Sequence, residues 1–246
     1  DPHDLWNSVR DSIQRALAKA PHASIAAIGI TNQRETTIMW DRSTGKPVHN
    51  AIVWQCRRTQ DRCEELKKRP RMVEFFRKRT GLPIDAYFAA TKIEWLLNNV
   101  PGLRARAKTG EICFGTADSW ILWKLTGGNT HATDYTNASR TMCFNIGALE
   151  WDEEILKKFR IPKQILPKVK KSSGIFGRTV RIGRPAEGIP ICALVGDQQA
   201  ALFAQTCFEP GTMKSTYGTG SFVLLNTGKK RPISRHGLIA TIGCGA

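Results

Sequence analysis

Apolar residues recur at two different spacings along the chain, and these spacings predict both helices and strands. Between residues 5 and 17 an apolar side chain stands at every fourth position, which is typical of an amphipathic helix, and Pro21 ends the pattern. Gly81 is placed to cap another helix at its C-terminal end. The other predicted helices span residues 58–68, 72–79, 92–99, 118–125 and 197 to about 207.

Short apolar runs predict the strands. Residues 25–30 and 191–195 are apolar and partly β-branched, as expected for strands that are covered on both faces. The remaining predicted strands are residues 112–114 and the two hairpins 36–40 with 48–54 and 213–217 with 222–226. Because strands alternate with helices, the pattern predicts an α/β protein.

The composition is typical of a globular protein. A chain of 246 residues with 41% apolar residues has enough material for a substantial core. It contains no apolar run of about eighteen residues and no secretory signal, so we expect a cytoplasmic protein that does not cross a membrane. The seven cysteines are dispersed and the five histidines lack ligand spacing, which favours free thiols and predicts no structural metal.

The formal charge of +16 suggests a different class of function, the binding of an anionic partner. Such an excess of basic residues would suit nucleic acid or an anionic membrane as a partner. The basic residues form clusters such as 67–69 and 168–171 without interleaved aromatic residues, so a solvated surface is the better interpretation and nucleic-acid binding is not expected. A basic chain also suits an anionic substrate such as a nucleoside triphosphate, although charge alone does not select one.

Two segments towards the C-terminal end carry candidate chemistry. Asp197 opens a helix directly after a buried strand, and Tyr217-Gly218-Thr219-Gly220 forms a turn between two apolar runs. A carboxylate and a phosphate-sized backbone turn are what the transfer of phosphate to a hydroxyl requires of a protein. Each feature has an ordinary alternative, because an aspartate at a helix start is often an N-cap and a glycine-flanked turn often only closes a hairpin.

Arg34 and Glu35 follow the first predicted strand and form a second candidate site. At a bend both side chains can turn towards one cleft, where the guanidinium donates hydrogen bonds and the carboxylate accepts them. Such a pair suits a polyol. The alternative is a solvated turn.

The residues around Arg34 carry a resemblance to a known family. Residues 28–37, Ile-Gly-Ile-Thr-Asn-Gln-Arg-Glu-Thr-Thr, resemble the glycerol-site segment of glycerol kinases in the FGGY carbohydrate kinase family. The other segments that agree in order are residues 50–55, 80–88, 134–141, 196–202 and 217–220. The resemblance implies the RNase H-like fold of the actin, hexokinase and sugar kinase superfamily, a mixed sheet with helices on both faces.

The same resemblance implies roles for individual residues. It assigns Asp197 as the general base for phosphorylation of glycerol. Glycerol hydroxyls would be held by Arg34, Glu35, Tyr87, Asp197 and Gln198. The apolar walls of that site would be Trp54 and Phe222, and the residues beside the nucleotide phosphates would be Gly218 and Thr219.

The implied co-substrate is ATP with Mg²⁺, whose ligands would lie largely outside this chain, and a homo-oligomer is expected for the full-length protein. The alternatives are a kinase for another polyol or ketose of the same family, and a non-catalytic basic protein that kept the fold. The segment 33–35 favours glycerol, because pentulose kinases of the family usually carry a glycine-containing sequence there.

The chain also departs from the family pattern. Glycerol kinases begin earlier, with a phosphate-binding hairpin, and continue further into a second domain. We therefore expect a fragment in which residues 1–209 form most of the N-terminal domain and residues 210–246 begin the C-terminal one, without turnover of its own. Residues 181–188 lack the glycine density of the loop that binds a sugar bisphosphate in bacterial relatives. Their arginines could still attract an anion, so feedback control by such a ligand stays an open alternative.

Overall fold

The computed structural model describes residues 1–22, 24–181, 187–218, 220–234 and 236–245. Its helices are α1 (Pro2–Lys19), α2 (Gln60–Lys68), α3 (Met72–Thr80), α4 (Ala89–Asn99), α5 (Leu103–Lys108), α6 (Ala117–Leu125), α7 (Tyr135–Ala138), α8 (Glu153–Phe159) and α9 (Asp197–Ala204). Its strands are β1 (Ile28–Asn32), β2 (Ile38–Asp41), β3 (Ile112–Gly115), β4 (Ala132–Asp134), β5 (Phe144–Asn145), β6 (Glu150–Trp151), β7 (Lys168–Lys170), β8 (Ser173–Arg178), β9 (Pro190–Gly196), β10 (Met213–Tyr217) and β11 (Ser221–Leu225).

A mixed sheet brings together parts of the chain that are far apart in sequence. Its strand order is β1-β9-β8, with β1 parallel and β8 antiparallel to β9. The register places Asn32, the last residue of β1, opposite Gly196, the last residue of β9. The carboxyl ends of the two parallel strands therefore lie side by side, and the residues that follow them share one edge of the sheet.

Two large apolar clusters form the core. One is built around Phe76, Phe88 and Phe159, where α3 and α8 pack with their neighbours. The other surrounds Trp40 and Trp120, and the apolar face of α1 covers it, as the spacing of apolar residues between 5 and 17 predicts. Burial of each such large side chain contributes about 1.5–3 kcal/mol to folding.

One predicted hairpin differs from the structure. Thr37 and Ile52 exchange backbone hydrogen bonds of 2.9 and 3.0 Å, so the chain does turn back on itself. The returning arm is nevertheless only bridged to β2, which instead pairs antiparallel with β3 from Ile38 opposite Gly115. Pro47, which comes directly before that arm and is bridged to Trp40, has no N–H to donate to a ladder, whereas the apolar β3 supplies both donors and buried side chains.

Two other local predictions, the cap of α3 and the free cysteines, are confirmed. Gly81 ends α3 with φ of 74°, the left-handed conformation that glycine adopts without strain. The seven cysteines are all free, four of them buried and three half-buried. Among the described helices none combines the length and the apolar character needed to cross a bilayer. Residues 182–186, which belong to the segment compared with the regulatory loop, lie outside the described residues.

Candidate functional site

The predicted polar residues meet at the shared carboxyl edge of β1 and β9. Arg34 and Glu35 follow β1, and β9 runs directly into α9 at Asp197. Arg34 Nε lies 3.2 Å from Asp197 Oδ1 and 3.7 Å from Glu35 Oε1. The structure therefore brings Asp197 together with Arg34 and Glu35 in one cluster.

Arg34 is held rigidly on the sheet. Its side chain is 4% exposed, and its Nη1 donates a 2.9 Å hydrogen bond to Gln199 Oε1. Its stem lies against Gly196, where an added Cβ would come within 2.5 Å of Arg34 Cδ. Burial and the charge of Arg140 lower the pKa of Arg34, and the charges of Glu35 and Asp197 act in the opposite direction.

Glu35 is a buried carboxylate with cationic neighbours. Arg140 Nε donates a 2.8 Å hydrogen bond to Glu35 Oε1, and the Arg140 guanidinium lies 5.2 Å from the centre of the Phe88 ring. Tyr87 lies beside this pair. Burial and the negative charge of Glu35 raise the pKa of Tyr87 to about 12, so its phenol is neutral at pH 7 and can both donate and accept hydrogen bonds.

Lys92 connects the two chain segments that carry Glu35 and Tyr87. Its ammonium donates hydrogen bonds to the backbone oxygens of Glu35, at 3.2 Å, and Tyr87, at 2.9 Å. Burial lowers the pKa of Lys92 to about 8. A buried ammonium that binds two backbone carbonyls fixes the distance between the segments from β1 and from the start of α4.

Asp197 is the part of the cluster that solvent reaches. Its side chain is 43% exposed, whereas those of Arg34 and Glu35 are nearly inaccessible. Gly196 is the N-cap of α9, and Asp197 is the first residue within the helix, where its Oδ1 accepts the Gln198 N–H at 2.7 Å. The interpretation of Asp197 as the N-cap is therefore wrong, and its carboxylate is open to a ligand.

The aromatic residues and the glycine turn are divided between two places. Trp54 packs edge-on against Tyr87 with ring centres 5.8 Å apart, so it borders the cluster. Phe222 lies on β11 opposite Thr216, whose hydroxyl accepts a hydrogen bond from Lys214. Gly218 is exposed at the turn between β10 and β11. Thr219 lies outside the described residues.

Sequence reasoning missed the residues that support the cluster, namely Arg140, Gln199, Lys92 and Lys214. Arg140 and Gln199 lie within segments already matched to the family, but nothing in their spacing shows which partner they bind. Lys92 carried a usable signal, because a lysine among the apolar residues of a helix has to find buried acceptors.

No described residues form a metal site by themselves. Across residues 1–22, 24–181, 187–218, 220–234 and 236–245, no group of three or more histidine, cysteine, aspartate or glutamate side chains is arranged to hold an ion. Of the two carboxylates in the cluster, Asp197 is the exposed one, so it could contact an ion that a ligand brings from solvent.

Solved structures with the same architecture are sugar kinases, which defines the class as a sugar-kinase-like α/β protein. The crystal structure of Plasmodium falciparum glycerol kinase with ADP matches 98% of this chain and 49% of its own length, with a TM-score of 0.90 and 40% identity. A ligand-bound xylulose kinase from Lactobacillus acidophilus matches 91% of this chain and 44% of its own length with a TM-score of 0.80, and its 22% identity bears on the fold alone. The predicted superfamily fold is confirmed.

The chain belongs to the FGGY family of carbohydrate kinases, whose N-terminal domain matches residues 1–204. It is 56% identical over 247 positions to the glycerol kinase of Klebsiella pneumoniae, covering 100% of this chain and 49% of that relative. The glycerol kinase of Clostridium beijerinckii is 55% identical, over 100% of this chain and 50% of its own length. The chain thus spans about half the length of the curated relatives it matches.

Proposed function

We propose that the protein carrying this chain transfers phosphate from ATP to a hydroxyl of glycerol. The observation that supports this most is the cluster of Arg34, Glu35 and Asp197 at the carboxyl edge of β1 and β9. It occurs in a chain that is 53–56% identical to proteins named glycerol kinase. A triol offers several hydroxyls, and a site that pairs each of them rejects ligands that lack one.

In this proposal Asp197 accepts the proton of the reacting hydroxyl. The hydroxyl oxygen forms a bond to the transferred phosphorus as the bond to the ADP oxygen breaks, and the proton passes to the Asp197 carboxylate. The transition state of phosphate transfer is loose, so positioning and charge neutralisation matter more than a strong base. An aspartate that is partly exposed and held beside Arg34 meets that requirement.

The remaining assignments belong to the same proposal. The hydroxyls are bound by Arg34, Glu35, Tyr87, Asp197 and Gln198. Trp54 and Phe222 face the carbon skeleton, and Gly218 and Thr219 contact the phosphates. ATP is the co-substrate and brings Mg²⁺ with it. Residues 1–209 belong to the glycerol-binding domain and residues 210–246 to the nucleotide-binding one. The homo-oligomeric state and the cytoplasmic location remain predictions.

The first experiment measures glycerol binding by the chain itself. Calorimetric titration should detect binding, and Arg34→Met should weaken it roughly tenfold or more because a charged hydrogen-bond donor is lost. Arg15→Met, the same change at an exposed position of α1, should leave the affinity unchanged. Equal affinity of Arg34→Met and the wild type would contradict the assignment of the site.

Turnover tests the role of Asp197. In the full-length protein, Asp197→Asn should lower the rate of glycerol 3-phosphate formation at saturating glycerol by roughly 10²–10⁴. We expect residues 1–246 alone to bind glycerol without turnover, because they span about half of their relatives. Product formed by this chain above an Asp197→Ala control would contradict that expectation.

Substrate profiling and nucleic-acid binding assays distinguish the two rival functions. Faster phosphorylation of dihydroxyacetone or xylulose than of glycerol would favour a kinase for another substrate of the family. Salt-sensitive binding of DNA or RNA, together with no affinity for glycerol, would favour the non-catalytic basic protein.

A further inference from the structure

Lys214 is a buried cation on β10 that has no role in the assignments above. It is 5% exposed, and its ammonium donates hydrogen bonds to Gln198 Oε1 and, at 2.6 Å, to Thr216 Oγ1. Both hydrogen-bond partners are neutral, and burial lowers the pKa of Lys214 although the charge of Asp197 acts in the opposite direction. If this position had only a structural role, an apolar side chain would fill it at a lower desolvation cost.

The contact with Lys214 determines which way the Gln198 amide points. An ammonium can only donate, so the atom that it binds has to be the amide oxygen. The amide nitrogen then lies on the opposite side, where Gln198 Nε2 is 3.4 Å from Asp197 Oδ2. Gln198 is 8% exposed, so surrounding atoms restrict its side chain.

This orientation matters for the reacting hydroxyl. An oxygen placed between Gln198 and Asp197 could accept a hydrogen bond from the amide NH₂ and donate its proton to the carboxylate. A reversed amide would place a second acceptor next to the Asp197 oxygen, and two acceptors would then compete for a single proton. Donor and acceptor are complementary to a hydroxyl in one orientation only.

We propose that Lys214 is a positioning residue, which holds the Gln198 amide so that its NH₂ faces Asp197 and a hydroxyl of the substrate. The identity of that hydroxyl rests on the function proposed above. Lys214 belongs to the strand that leads into the Gly218 turn, so the ammonium also connects this strand to the start of α9.

The orientation can be tested without any ligand. The side-chain amide resonances of Gln198 in the NMR spectrum should shift in Lys214→Met, which keeps the aliphatic stem and removes the donor. They should stay close to the wild-type position in Lys214→Arg, which restores a donor, and in Lys229→Met, the same change at an exposed lysine that follows β11. Unmoved Gln198 resonances in Lys214→Met would contradict the role of Lys214.

Ligand discrimination gives an independent measurement. Lys214→Met should bind glycerol roughly tenfold more weakly, because a hydrogen bond to an ordered amide is lost. Propane-1,2-diol and propane-1,3-diol each lack one hydroxyl of glycerol. The diol that lacks the hydroxyl in contact with Gln198 should bind Lys214→Met within about twofold of its affinity for the wild type. A uniform loss for all three ligands would show a merely structural role and overturn the proposal.

The two proposals fail in different ways. If the Gln198 amide resonances shift in Lys214→Met but the wild type does not bind glycerol, the proposed function is contradicted and the orienting role of Lys214 is not. If Lys214→Met does not fold, the wild-type spectrum decides, since the Lys214 ammonium protons should be protected from exchange and show cross-peaks to the Gln198 amide. The absence of both signals would overturn the proposal.

Discussion

Opposite charges alternate through the side chains at the centre of the site, in the order Arg140, Glu35, Arg34 and Asp197. Each inner charge has a neighbour of opposite sign on both sides, which compensates the desolvation of the buried groups. Asp197, the last member of this series, is partly exposed to solvent. Loss of one inner member leaves a buried charge without its partner, at a cost of about 3–5 kcal/mol.

Gly196 gives a test at the scale of one atom. Gly196→Ala introduces no backbone strain, because φ is −62°, but the new Cβ would lie 2.5 Å from Arg34 Cδ. Since Arg34 is buried, we expect its guanidinium to be displaced and glycerol affinity to fall roughly tenfold or more, as for any lost charged hydrogen bond. Titration calorimetry on the variant measures this loss.

Gly29→Ala is the matched control. An added Cβ there would lie 3.7 Å from Ala193 Cβ, which is an ordinary van der Waals contact in the same pair of strands. Glycerol affinity should be unchanged in this variant. Equal affinity of Gly196→Ala and Gly29→Ala would show that the close contact with Arg34 does not matter for binding.

At the scale of elements, the short helix α7 connects the strands that form the site. The Asp134 carboxylate caps it by accepting the N–H groups of Thr136 and Asn137, and it also accepts the Ser172 hydroxyl at 2.6 Å. Thr136 Oγ1 in turn accepts the Gly196 N–H at 2.7 Å. The turn between β4 and α7 therefore fixes the end of β9, directly before Asp197.

Asp134→Asn tests the importance of that connection. An asparagine keeps one oxygen but turns an NH₂ towards groups that already donate, so we expect a loss of about 2–4 kcal/mol in the free energy of unfolding. Urea denaturation measures the difference. Glu153→Gln, in the first turn of α8, should cost much less, because its ion pair with Lys163 is exposed to solvent on both sides. Equal losses would contradict the special role of α7.

Periodicity predicted most of the elements because they have one clear apolar face or one buried run. The predicted hairpin 213–217 with 222–226 appears as Met213–Tyr217 paired with Ser221–Leu225, and the helix 118–125 appears as Ala117–Leu125. The strand predicted at 25–30 is Ile28–Asn32 instead, because its limits follow from pairing with β9, which sequence spacing does not show.

The site was predictable only in part. Arg34, Glu35 and Asp197 could be selected by residue type and by resemblance, and the parallel pairing of β1 with β9 brings them together. The supporting contacts of Arg140 and Lys214 depend on partners 105 and 16 residues away in sequence. Such contacts follow from tertiary packing, and no local pattern encodes them.

For the molecule as a whole, the burial of His131 links stability to pH. The ring packs against Trp40 and Trp123, and its Nε2 lies 2.7 Å from the Phe114 carbonyl oxygen. Burial lowers the pKa of His131 from 6.5 to about 4. Between these values only the unfolded chain takes up the proton, so the contribution of His131 to stability is complete above pH 6.5 and is lost as the pH falls towards 4.

His131→Gln should isolate this effect, because glutamine can still donate to the Phe114 oxygen and does not titrate. The stability of the wild type relative to the variant should decrease by about 2–3 kcal/mol between pH 7 and pH 4.5. Chemical denaturation at several pH values measures the change. His22→Gln, at an exposed position, should show no such trend, and a parallel profile for the wild type and His131→Gln would contradict the prediction.

The pairing of β1 with β9 has a consequence for synthesis on the ribosome. Arg34 and its partner Gln199 are 165 residues apart, and ribosomes add roughly 5–20 residues per second, so Arg34 leaves the ribosome roughly 10–30 s before Gln199. During this time the edge of β1 that pairs with β9 has its backbone donors and acceptors open to other chains. The rate of translation between the two strands therefore sets how long this edge of β1 stays unpaired.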